Sequence, residues 1–240
     1  MKRFEKFTRS RIKRLRKLLD EYATVQSPDA LHSIRVEIKK IKAALQVMGS
    51  SRENFNAHRK FLPFRNIFRK AGAIRDPEVF EQLFIEYEIA GVSPEFLPGK
   101  EVAETRFIED IPVFIKSVDK LKKHIIETAS KTRKKDFKKY LNRRVKEIKR
   151  SLYPGLVENN LHKVRKSAKE IIYLSSIDNS IEKKYRKFLG KLEELVGSWH
   201  DKQALIQLVN AHPDAKQKLQ SMSDSDAESI AQLAKKYFRK

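Results

Sequence analysis

The chain has 240 residues, enough for one large domain or two small ones with a substantial core. Its 53 Lys and Arg outnumber 31 Asp and Glu, a formal net charge of +22 at pH 7; so large an imbalance disfavours a compact monomer and attracts a polyanion. There is no Cys, which excludes disulfides and thiolate chemistry and fits a cytoplasmic setting, while 7 Gly and 8 Pro are too few for a turn-rich sheet protein.

The first stretch, 4–24, carries Ile12, Leu15, Leu19 and Tyr22 at helical spacing with basic residues between them. It lacks the continuous apolar run of a signal peptide, and no later stretch reaches the roughly 18 apolar residues of a membrane span. Ser27-Pro28 predicts a helix start, with Ser27 as N-cap and Pro28 in the first helical position, and Gly49 predicts its end. A third helix is expected over 53–73, and a fourth from Asp76-Pro77 to residue 90. Gly91, Pro94, Pro98, Gly99 and Pro112 mark a connector, 93–112, between half-repeats 1–92 and 113–240, with room for a short helix inside it. The helical pattern resumes over 113–151, and its later part is a dense basic run from Lys131 to Arg150 that Tyr153-Pro154-Gly155 breaks. Further helices are expected over 157–176, 180–196 and 199–211, and Ser225-x-x-Glu228 reads as the capping box of a last one. No strand alternation appears, so the fold class is all-α.

The second half echoes the first. LHSIRVEIKK at 31–40 matches LHKVRKSAKE at 161–170, pairing His32 with His162, Arg35 with Arg165 and Lys39 with Lys169. AGAIRD at 71–76 matches VGSWHD at 196–201, pairing Gly72 with Gly197 and Asp76 with Asp201. A basic helix, a His helix and a helix carrying Gly-x-x-x-Asp recur in the same order, which implies two related helical bundles in one chain.

On a wheel of about 100° per residue with His32 at zero, Arg35, Lys39 and Lys42 fall near 300°, 340° and 280°, and the apolar residues centre near 210°. The basic stripe borders the apolar stripe and so faces a groove with a neighbouring helix. Clustered cations in a groove repel and lose hydration, and the stripe itself has no acid, since Glu37 falls near 140° on the same wheel of about 100° per residue. A bound polyanion is the simplest remedy, with Arg forking onto phosphate oxygens and Lys acting as a point charge. Against this stands a solvated basic face, which describes most charge runs; the repetition of the same three positions argues for the groove.

His32-x-x-Arg35 at a helix start, then Lys39, Lys40 and Lys42, then Gly72-x-x-Arg75-Asp76, resembles the CHAD (conserved histidine α-helical domain) family over nearly the whole chain. The second half departs from the pattern at Glu170, Ile172 and His200. The resemblance implies one domain, 1–240, of two pseudo-symmetric antiparallel four-helix bundles around a central basic channel, binding inorganic polyphosphate, found in the cytoplasm at polyphosphate granules. Some members carry a CYTH triphosphatase domain as well, whose alternating Glu and Lys on strands are missing here. The site is expected at His32, Arg35, Lys39, Lys42, His162, Arg165 and Lys169, with Lys166 at its edge. The preceding basic helices are expected to add Arg9, Lys13 and Arg16, and Arg143 and Arg144.

Two other classes compete. A nucleic-acid-binding protein would share the charge, but RNA readers interleave aromatics with it. Phe61, Phe64, Phe68, Phe84 and Tyr87 fit a core, and Trp199 fits packing at a helix start. A phosphate-ester enzyme would need an orienting carboxylate or a metal beside His32 or His162, and no acid lies on the stripe and no His pair has ligand spacing. The expectation is therefore a binding domain without catalysis, metal or cofactor. His58, His124 and His212 read as surface residues. Asp76 and Asp201 read as N-caps at helix junctions, with positioning of basic side chains as their alternative.

Overall fold

The computed structural model describes residues 1–89, 99–156, 160–178 and 181–239. The protein is all-α, 86% helical, with eight helices and no strand among the described residues. The helices are α1 (Lys2–Thr24), α2 (Pro28–Ser51), α3 (Ala57–Glu86), α4 (Lys100–Ser130), α5 (Lys134–Leu152), α6 (Leu161–Leu174), α7 (Lys183–Leu208) and α8 (Pro213–Phe238). Among the described residues none is long and apolar enough to cross a membrane.

Contacts divide the chain into two units: Met1–Val79 with Pro94–Tyr140, and Phe80–Ser93 with Leu141–Lys240. In the first, α1 packs against α2 and α4. α1 buries Phe4, Ile12, Leu15, Leu19 and Tyr22, and α2 buries Leu31, Ile34, Ile38, Ile41 and Leu45. Each such side chain contributes about 1.5–3 kcal/mol on leaving water. The start of α2 is as expected: the Ser27 hydroxyl accepts the Ala30 N–H at 3.1 Å, and Pro28 opens the first turn. Tyr22 packs edge-on against Phe107 of α4, with 5.5 Å between ring centroids. Its hydroxyl donates to Glu104 at 2.5 Å, and burial, reinforced by Glu104, raises its pKa.

In the second unit α7 packs against α6 and α8. Val164, Ala168 and Ile171 of α6 and Leu189, Leu192 and Val196 of α7 are fully or nearly fully buried. The Lys202 ammonium, also buried, donates to Ser198 at 2.5 Å and to Asp226 of α8 at 2.7 Å, and lies 4.9 Å from the Tyr87 ring centre. An unpaired buried ammonium would be costly, so these partners are what makes the position tolerable.

Several expected boundaries are corrected. The third and fourth expected helices are one, α3, which runs through Pro63 and Pro77. Each Pro forgoes one backbone hydrogen bond but need not end a helix whose flanks are packed. α2 likewise passes Gly49. From Lys100 the expected connector belongs to α4, which continues through Pro112 because Phe107, Ile111, Phe114 and Val118 give it a buried face; residues 93–98, and Gly91, lie outside the described residues. The stretch 113–151 breaks at 131–133 instead of running on, although no Gly or Pro marks the place. The helices expected over 180–196 and 199–211 are one, α7, so Trp199 stands inside a helix. Ser225 and Glu228 lie within α8, which starts instead at Pro213 with Asp214 in its first turn.

Candidate functional site

α2 and α3 meet along a seam in which Arg35, Lys39 and Lys42 of α2 each have a neighbour on α3. The Arg35 guanidinium pairs with Asp76 at 2.6 Å and lies 4.6 Å from the centre of the Phe68 ring. Lys39 Nζ is 5.6 Å from the same ring, and Lys42 Nζ is 5.2 Å from the Phe61 ring. Phe61, Phe68, Gly72 and Asp76 recur at spacings of seven, four and four along α3, which places them on one face. Gly72 makes the close approach possible. A Cβ there would stand 2.9 Å from Arg35 Nη1 and 3.1 Å from Asp76 Oδ2. The Gly-x-x-x-Asp motif is thus a bed for one guanidinium: a gap for its plane and, one turn on, a carboxylate for its charge. Because Asp76 is half exposed, the pair itself adds only about 0–1 kcal/mol to stability; its effect is to fix the direction of Arg35.

His32 lies at the surface at the start of this seam. Partial desolvation lowers its pKa, and Arg75, Lys39 and Arg35 lower it further. The imidazole is therefore held towards neutrality, first by desolvation and then by these cations, against a smaller opposing pull from Asp29. Glu37 is buried and turned away, pairing with Arg11 of α1 at 3.1 Å and with Lys40 at 2.7 Å.

α6 and α7 build the same arrangement more loosely. Arg165 Nη2 is 3.9 Å from Asp201, and a Cβ on Gly197 would still be 3.9 Å from Arg165. Lys169 pairs with Glu193 at 2.8 Å. His162 meets His200 of α7 edge-to-face, with 5.2 Å between ring centroids. Its pKa is lowered by desolvation, Lys166, His200 and Arg165.

The flanking residues divide. Arg9 pairs with Glu5 on its own helix at 2.7 Å, Arg16 with Asp119 of α4 at 2.8 Å, and Lys13 is exposed. On α1 it is Arg11 that meets α2. Arg144 bridges Glu147 at 2.7 Å and Glu170 of α6 at 2.9 Å, tying α5 to α6, and Arg143 lies 3.8 Å from Glu147. His58, His124 and His212 are exposed, as expected. Among the described residues no group of three or more His, Asp and Glu is placed to hold a metal ion.

The CHAD domain family model matches residues 8–210. The chain belongs to the CHAD domain family. No curated protein and no solved structure matches the chain.

Within this CHAD domain two sequence readings need correction. Asp76 and Asp201 are interior residues of α3 and α7 and cap nothing; they hold Arg35 and Arg165. The stripes also do not depend on an external anion for all their counter-charge, because Asp76, Asp201 and Glu193 supply part of it from the neighbouring helix. The seams also take in residues that helix-wheel reasoning on α2 and α6 did not include, Glu193 among them. Arg75 stands beside His32, and His200 beside His162. Phe68, under two cations, and Phe61, beside Lys42, are half-buried instead of lying in the core with Phe64. The repeat alignment held the signal for Arg75 and His200, since they occupy the same place in it.

Proposed function

We propose that this CHAD domain binds inorganic polyphosphate, with His32, Arg35, Lys39, Lys42, His162, Arg165 and Lys169 as its main contacts. The family is associated with polyphosphate binding. The observation that carries the reading is the repeated seam. Twice in one chain, a His-x-x-Arg-x-x-x-Lys face is oriented by a Gly-x-x-x-Asp helix, so that Arg is aimed through a single carboxylate and keeps further N–H donors for phosphate oxygens. A phosphate polymer offers no bases to read, so charge and donors suffice, and holding it at two seams multiplies affinity. Lys166, Arg9, Lys13, Arg16, Arg143 and Arg144 are outer members of the proposed set. The pseudo-symmetric pairing of half-repeats 1–92 and 113–240 about one central basic channel belongs to the same proposal and rests on the repeat and the family. So do a role in binding without turnover, independence of metal and cofactor, and residence at polyphosphate granules in the cytoplasm.

The decisive experiment is a polyphosphate titration of the wild type beside a variant carrying R35A, K39A, R165A and K169A. At least a hundredfold loss is expected, since charge-assisted hydrogen bonds are worth about 1.5–3 kcal/mol each. Unchanged affinity in a folded variant overturns the site. RNA is the competing ligand: polyphosphate should displace it easily and be displaced by it poorly, and the reverse result favours a nucleic-acid binder. Steady release of phosphate from the polymer would overturn binding without turnover.

A further inference from the structure

We infer that the second unit carries a separate binding surface for single-stranded nucleic acid, built where the end of α8 meets the start of α7 and the end of α5. It does not rest on the polyphosphate reading and shares no residue with the two seams.

The surface is an aromatic cluster edged with cations. On α8, Ile230 and Ala234 are buried, and Tyr237 and Phe238 follow at helical spacing on the same side. Phe188 of α7 lies against the face of Tyr237, with 4.2 Å between centroids and 23° between planes. Phe238 meets Phe188 edge-on at 5.3 Å and Tyr153, just past α5, at 6.4 Å. Phe188 is buried, whereas Tyr153, Tyr237 and Phe238 are half-buried and keep part of their rings at the surface. Lys149 Nζ lies 5.7 Å from the centre of the Phe238 ring, and Lys184 Nζ 6.0 Å from that of Tyr237. Lys235, Lys236 and Arg239 are exposed beside these rings at the end of α8. Among the described residues none of these five cations is paired with an acid; Glu182, exposed at the start of α7, is the acid close enough to act on Tyr237. Tyr237, Phe238 and the α8 cations lie beyond residues 8–210, the stretch that the family model matches.

The two kinds of side chain call for different things. The cations need phosphates, and the rings need a flat apolar face. A bare phosphate polymer supplies only the first, and a duplex keeps its base faces stacked on one another. Single-stranded nucleic acid supplies both: its backbone follows the cations while its unstacked bases lie on the rings. A lipid surface fits less well, because the rings are wedged against one another and do not form an apolar helix face that could enter the headgroup region. Every base has a π face, so such a surface reads no sequence. The packing of Phe188 under Tyr237 holds that ring fixed, which lowers the ordering cost of stacking on it.

The test is an anisotropy titration of the full chain with a labelled single-stranded RNA of about 12 nucleotides at several salt concentrations, with thermal melts as folding controls. Replacing the exposed Lys235, Lys236 and Arg239 together with Gln should cost about tenfold or more and flatten the dependence of log affinity on log salt by about two units. Y153L should cost about fivefold or more and leave that slope unchanged, because stacking carries no charge. A strand of the same length without bases should bind the wild type about tenfold more weakly, a comparison that needs no variant. The variant carrying R35A, K39A, R165A and K169A should keep its RNA affinity within about threefold, since its changes lie elsewhere. Unchanged affinity in the Gln variant, or a baseless strand bound as tightly as the intact one, overturns the inference. So does a wild type that binds phosphatidylserine vesicles and not RNA, which would give the surface to a membrane.

Discussion

The α2/α3 and α6/α7 seams descend from one pattern, yet they hold their arginines differently. Arg35 is pinned at 2.6 Å from Asp76 over Gly72, and Arg165 stands off Asp201 at 3.9 Å with space above Gly197. The motif residues are identical, so the motif alone does not set the grip. The surrounding side chains do. Arg35 has the Phe68 ring on one side, while the second seam has Glu193 at that position and directs it to Lys169. Arg165 also keeps a buried Nε without a hydrogen-bond partner, a guanidinium less completely placed than its counterpart.

The largest expected consequence is in binding. A donor already fixed in direction loses less freedom when it takes up a ligand. Removing the pinned arginine should therefore cost more than removing the loose one. R35A is expected to weaken polyphosphate binding about thirtyfold, within the range of a single charge-assisted contact, and R165A about fivefold, below that range because the loose guanidinium must still be ordered. Calorimetric titration of both variants checks it, and equal losses would dissolve the distinction between the seams.

How much of this was legible beforehand depends on the range of the interaction. The Ser27 cap and the amphipathic faces of α1, α2 and α6 are local, written within a few residues, and they stand as expected. The His-x-x-Arg stripes were legible for the same reason. Asp76 was misread because Asp-Pro is a strong local sign of a helix start, while its actual partner, Arg35, is 41 residues away. Phe68 shares helical spacing with the buried Phe64, and no pattern within α3 shows which of them α2 will cover with cations. α4 was underestimated because Gly99 and Pro112 outweighed its buried Phe107, Ile111 and Phe114 in a local reading. The α4–α5 break escaped notice because it uses no Gly or Pro: Thr132 turns the chain there, its N–H bonding back to the Ala129 carbonyl.

A smaller effect separates the two glycines. In G72A the new methyl would crowd Arg35 Nη1 at 2.9 Å, and that flexible side chain must swing out of its bed. Little stability should change, because the helix gains about 1 kcal/mol from Ala over Gly and loses a half-exposed ion pair of similar size. Affinity for polyphosphate should nevertheless fall about tenfold, as Arg35 loses its fixed direction. In G197A the nearest Arg165 atom is at an ordinary 3.9 Å. That variant should melt higher, by about 0.5–1 kcal/mol of stability, and bind within twofold of wild type. Melting curves and titrations on the same two proteins read both quantities.

The smallest effect is a dependence on pH. In the free domain His32 and His162 have lowered pKa values, first through desolvation and then through neighbouring cations. Protonation therefore opposes folding: the stability they contribute is present above about pH 6.5, the ordinary histidine value, and is lost as pH falls through the lowered folded pKa values. A bound phosphate chain reverses the sign, because a phosphate oxygen beside the ring favours the imidazolium. Binding should then tighten as pH falls from about 8 to 5.5, by about threefold to tenfold, while the melting temperature of the free domain falls. Replacing His32 and His162 with Gln should remove most of the pH slope of binding, since these are the imidazoles that open the two seams. A slope that survives both replacements would place the titrating groups elsewhere.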